Sequence, residues 1–153
     1  MAIRQILKDG DETLRKKSRP VDRFDSRLHQ LLDDMADTMY ENNGIGLAAP
    51  QVGILRRIFI IDLNDETGIK EFINPEIVNP EGCQTSCEGC LSVPDTWGDV
   101  DRPASLKIKA QDRHGNTFEL EAEELLAVCI CHEYDHLDGV LFKDKVKGEL
   151  QHS

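Results

Sequence analysis

The stretch EELLAVCICHEYDHLDG, residues 123–139, decides the fold. Leu125, Cys129, His132 and His136 stand at i, i+4, i+7 and i+11, a spacing that lines them along one helical stripe. Acidic residues open the segment, where the helix dipole favours them, and Asp138-Gly139 supplies the stop. The two histidines therefore continue a buried face, and the rest of the chain has to pack around this helix. Glu133 lies about 100° round the axis from His132, beside the point where the imidazoles converge. This H-E-x-x-H arrangement offers two metal ligands and one general base.

Outward from this helix, Phe24, Leu28, Leu31, Leu32, Met35 and Met39 predict a second amphipathic helix over 24–41, closed by Asn42, Asn43 and Gly44. IGLAAPQVGI carries too much Gly and Pro for a regular element, whereas RRIFIIDL reads as a buried strand. Residues 66–70 form a turn, and EFINPEIVNP is extended chain broken by its prolines. ASLKIKAQD and TFELEA alternate about RHGN, the pattern of a hairpin. After Phe142 the chain turns polar and is expected to fray. The class is α+β: a single domain over 1–153 with a polar tail from about 143, its antiparallel sheets packed around a core metal-binding helix.

A chain of 153 residues can bury about two-thirds of its unfolded surface in one domain. A hydrophobic content of 39% with 31% charged residues suits a soluble globular protein. No apolar run approaches the roughly 20 residues that cross a bilayer, and the N-terminus turns polar too early for a signal peptide; the cytoplasm is expected, without membrane association. A net charge of −11 argues against sequence-specific or general nucleic-acid binding. Five cysteines, an odd number in a reducing compartment, argue against a disulfide framework.

A catalytic zinc-type site needs three protein ligands and one open position. A third histidine six residues after His136 would complete one pattern, but position 142 is Phe. A downstream glutamate would complete another, but Glu149 lies in the polar tail. CEGCLSVP (87–94) offers a softer alternative in Cys87 or Cys90, a thiolate to join two imidazoles.

Three stretches taken together, GIGLAAPQ (44–51), EGCLS (88–92) and HEYDH (132–136), resemble the three motifs of the bacterial peptide deformylase family in order and separation. The likeness runs from about residue 3 to 143. It implies a metal-dependent hydrolase that removes the N-formyl group from the initiator methionine of nascent polypeptides and releases formate. By position, Cys90, His132 and His136 would hold one divalent ion, Fe²⁺ in the cell with Zn²⁺, Ni²⁺ or Co²⁺ as substitutes. Glu133 would move protons, while Gln51 and the Leu91 backbone N–H would stabilise the oxyanion. Ile45, Gly46 and Gly89 would line the peptide groove. The implied partner is the N-formylmethionyl nascent peptide, with transient ribosome contact for which the Lys143, Lys145 and Lys147 tail is a candidate.

Other residues have plainer readings. Cys131 stands where the family usually has Gln and is read as a small buried hydrophobe; Cys129 is read as pocket wall. Trp97 stands where some members carry arginine near the substrate exit. His29 and His114 are read as solvated or structural, and Asp135 as an outer partner of His136 or an exposed helix charge. A metallopeptidase sharing the helix, or a cysteine-based metal-binding domain, would be the competing functions.

Overall fold

The computed structural model describes residues 2–152. Helix α1, Ser26–Glu41, is capped by the Asp25 carboxylate accepting from the Leu28 N–H, and it buries Leu28, Leu31, Leu32, Met35 and Met39 as their spacing requires. Helix α2 spans Glu124–Leu137. Between the helices lies a five-stranded antiparallel sheet: β1 (Gly46–Ala48), β2 (Ile58–Ile61), β3 (Lys70–Glu81), β6 (Ser105–Gln111) and β7 (Thr117–Glu123), adjacent in that order. Strand β2 shows why its sequence is apolar without alternation. Ile58 and Ile60 join the α1 cluster, while Phe59 and Ile61 join the α2 cluster, so both of its faces are buried.

A smaller antiparallel sheet, in the order β4 (Gln84–Cys90), β5 (Val93–Arg102) and β8 (Val146–His152), closes the other side of the site. The tail is thus ordered where fraying was expected. Phe142–Lys145 forms a short 3₁₀ helix, and β8 then pairs with β5 through Val100↔Val146 and Trp97↔Gln151. Backbone groups make this pairing, so a mostly exposed, polar strand can join the sheet. Its few apolar side chains, Val146 and Leu150, rest on a third cluster with Leu14, Val100 and Phe142.

Three further expectations are corrected. IGLAAPQVGI is regular in part: it forms β1 and a 3₁₀ turn, Ala49–Val52, with Pro50 in the first turn, where its missing N–H costs nothing, and Gly53 left-handed at the end. EFINPEIVNP lies in one continuous strand. Asn74 and Asn79, each before a proline, take left-handed conformations (φ 51° and 50°) and absorb the prolines in two register shifts. Leu125 is off the buried stripe and 50% exposed, because the first turn of α2 precedes the point where the helix passes under the sheet. Lys143, Lys145 and Lys147 each face a carboxylate, of Asp9, Asp135 and Asp101 respectively. No helix among the described residues is long and apolar enough to cross a membrane.

Candidate active site

Helix geometry and one strand end meet at a cleft of about 590 Å³. His132 and His136, one turn apart on α2, turn their rings to the same side, with centroids 5.1 Å apart. The end of β4 brings Cys90 over them, Sγ lying 3.4 Å from His136 Nε2. One donor atom from each of the three lies within 4.8 Å of the others. This decides between the two candidate cysteines: Cys90 joins the histidines, whereas Cys83 and Cys87 are exposed thiols outside the cluster.

The orientation of His132 has a cause that the motif does not contain. Its Nδ1 bonds Glu88 Oε1 at 2.9 Å, leaving Nε2 for the site. Glu88 is gripped by Arg102 through Nε and Nη2, both at 2.8 Å, and Arg102 Nη1 reaches Asp135 Oδ2 at 2.8 Å. Burial pushes the Glu88 carboxyl up, but Arg102 and His132 outweigh it and hold the group below its ordinary range. Sequence reasoning missed Glu88 and Arg102. The one available signal was an acidic residue two before Cys90. Asp135 serves this network together with Lys145, not His136, whose Nδ1 is buried with no partner among the described residues.

Glu133 is buried, its Oε2 3.9 Å from His132 Nε2 and pressed against Gly46, where a Cβ would fall 2.5 Å from that oxygen. Burial, reinforced by Glu88 and Asp135, pushes its carboxyl up to about 7. A carboxyl poised there can take and return a proton at neutral pH. Burial pushes His132 down, yet Glu133, Cys90 and Glu88 carry it well above its usual value; burial and the His132 charge hold His136 well below. Glu133, Cys90 and Glu88 thus favour positive charge at His132. A thiolate and two imidazoles are the donor set to hold a divalent cation there with a position left open.

The remaining candidates line the same cleft. Gln51 is buried; its Oε1 accepts from the Ala48 N–H at 2.9 Å, which turns the amide Nε2 toward Ser92 Oγ (3.1 Å) and Cys90 Sγ (3.5 Å). Ile45, Gly46, Gly89 and Leu91 lie along the walls, and Lys8 Nζ donates to the Leu91 carbonyl. Cys129 is pocket wall as expected, its thiol pushed up to about 12 by burial and then by Glu133 and Glu88. Cys131 is buried among apolar neighbours, and burial pushes it up to about 11. His29 is structural: its Nε2 meets the Arg113 carbonyl at 2.8 Å, with His114 edge-on to its ring.

Comparison with known proteins gives concordant results. The profile of the polypeptide deformylase family matches residues 3–152. A peptide deformylase of Caldicellulosiruptor bescii is 62% identical over 146 residues, covering 95% of this chain and 87% of the relative. One of Alkaliphilus metalliredigens is 55% identical over 149 residues, covering 97% and 100%. Among solved structures, a peptide deformylase from Thermotoga maritima superposes with a TM-score of 0.93 at 39% identity, covering 97% of this chain and 100% of that one. One from Synechococcus elongatus, in complex with actinonin, gives 0.90 at 43% identity, covering 94% and 79%.

Proposed function

Since this chain belongs to the polypeptide deformylase family, it is an enzyme that removes the N-formyl group from nascent polypeptides, and we propose which of its residues carry each step. The observation that carries the reading is the convergence of Cys90, His132 and His136 beside a buried Glu133 at the end of a peptide-sized cleft.

Cys90, His132 and His136 would hold the divalent ion, with Fe²⁺ as the cellular metal. Such an ion lowers the pKa of water and polarises a carbonyl, the two deficiencies of a formamide and its nucleophile at neutral pH. Glu133 takes the proton from the attacking water and returns it to the leaving amine nitrogen, so that formate and a free methionyl terminus result. The Gln51 amide, its oxygen already engaged by Ala48, directs N–H groups into the site and with the Leu91 N–H stabilises the oxyanion. Substrate lies between the Ile45–Gly46 wall and Gly89 on the free edge of β4, adding to that edge as an extended strand. The methionine side chain enters the apolar part of the cleft, along Leu125, Val128 and Cys129. The work is done in the cytoplasm, where formylated chains leave the ribosome.

The test is formate release from formyl-Met peptides, with metal counted on anaerobically purified protein. Cys90→Ala should lose the ion, whereas Cys83→Ala and Cys87→Ala should keep it. Glu133→Gln should keep it and lose about 10²- to 10⁴-fold in turnover. Loss of metal from Glu133→Gln would make Glu133 a ligand and overturn the assignment.

A further inference from the structure

Resting on the deformylase reading, we propose that Trp97, with Asp95 beside it, selects substrates whose second residue is arginine or lysine. Few large apolar side chains are exposed on this protein, and Trp97, 39% exposed, is the aromatic at the mouth of the cleft. Its position follows from the strand pairing. The β4–β5 register shifts between Glu88 and Cys90, so Gly89 alone faces the bulged segment of β5 that contains Asp95 and Trp97. Because Gly89 has no side chain, the indole can lie across it: a Cβ there would come 3.0 Å from both Trp97 Cδ1 and Nε1. The ring thereby reaches over the edge strand toward whatever pairs with it.

Alternation then assigns the residue it meets. The inner face of β4 is where Glu88 meets His132, and the apolar part of the cleft lies on that side. A methionine side chain entering there leaves the next residue of an extended peptide pointing to the opposite face. That is the outer face, which carries Trp97. Two carboxylates stand two residues to either side of Trp97 on β5: Asp95, which also lines the cleft, and Asp99, opposite Lys147 in the strand register. Neither has an ion-pair or hydrogen-bond partner from another side chain among the described residues, whereas Asp101 further along is held by Lys147 and Thr85. An indole face beside unpaired carboxylates suits a cation on an apolar stem. Lysine and arginine supply that combination, and an acidic residue would be repelled.

The test compares kcat/KM for formyl-Met-X-Ser peptides with X as arginine, the neutral isostere citrulline, norleucine or aspartate, measured on the metal-loaded enzyme. Arginine should exceed norleucine by about tenfold and aspartate by more. Moderate salt should shrink the arginine–citrulline gap, because exposed charges are screened. Trp97→Ala should bring arginine most of the way down toward norleucine, Trp97→Phe should keep part of the preference, and Asp95→Asn should narrow the gap between arginine and citrulline. Equal kcat/KM across the series, or a preference untouched by Trp97→Ala, would overturn this proposal alone. Formate from none of the peptides would overturn the deformylase reading and this proposal with it.

Discussion

Replacing Gly46 by alanine should disable Glu133, the base we propose, without displacing the metal. An ideal Cβ at this position falls 2.5 Å from Glu133 Oε2, 3.1 Å from Cδ and 3.2 Å from Cγ. Ordinary contacts begin near 3.5 Å, so the carboxylate has to recede by about 1 Å. It cannot do so freely, because Glu133 is 5% exposed and α2 is packed under the sheet. A displacement of about 1 Å at a reacting group can cost about 10²-fold, and total loss of the base sets a ceiling of about 10⁴-fold. We therefore expect kcat for formate release to fall about 10²-fold with metal content intact. Strand β1 should tolerate the methyl, since alanine is no worse than glycine in a strand backbone, so the thermal midpoint should move little. The double variant supplies the sharper control. Once Glu133→Gln has removed the base, adding Gly46→Ala should cost almost nothing more, because both act through the same proton transfer. Full activity in Gly46→Ala, or a further hundredfold loss in the double variant, would refute this account of Gly46.

Arg102→Leu leaves Glu88 buried without its bidentate partner; urea unfolding should show a loss of about 3–5 kcal/mol, and metal affinity should weaken about 10- to 100-fold as His132 loses its anchor. Glu88 also sets an acid limb. Its folded pKa lies below that of the unfolded chain, so its stabilisation is complete above the unfolded value and is lost as pH falls through the folded one. As pH falls from neutral through and below the ordinary glutamate range, the stability curve should accordingly be flatter in Glu88→Gln than in the parent, and identical slopes would contradict the ion pair. Gly139, left-handed at φ 76° with a Cβ position 2.4 Å from the Arg15 carbonyl oxygen, should resist substitution: Gly139→Ala should lower stability by about 2 kcal/mol or more in denaturant titration, and a neutral result would mean that the N-terminal segment can move away.

What could be read from the sequence alone has a common cause, the locality of helix geometry. Hydrogen bonds four residues apart place His132 and His136 on one face and Glu133 beside it, whatever surrounds them. The same rule made α1 legible from Leu28 to Met39, and alternation about a turn did so for the β6–β7 hairpin. Fold class and the two histidines therefore needed no partner to be inferred. The motif Cys90 was reached only through resemblance, because spacing left Cys87 and Cys90 equivalent. Tertiary structure separated them by ending β4 over α2. It alone joined Arg102 to Glu88 and Glu88 to His132, a chain of contacts that depends on the β4–β5 register and on the packing of a sheet against a helix. It also recruited a polar tail as β8 and set Gly46 against Glu133. Strand pairing joins residues far apart in the chain through backbone groups that every sequence possesses, so side-chain pattern records it weakly. A helix carries its geometry in its own sequence, whereas a sheet acquires its geometry only when distant segments meet.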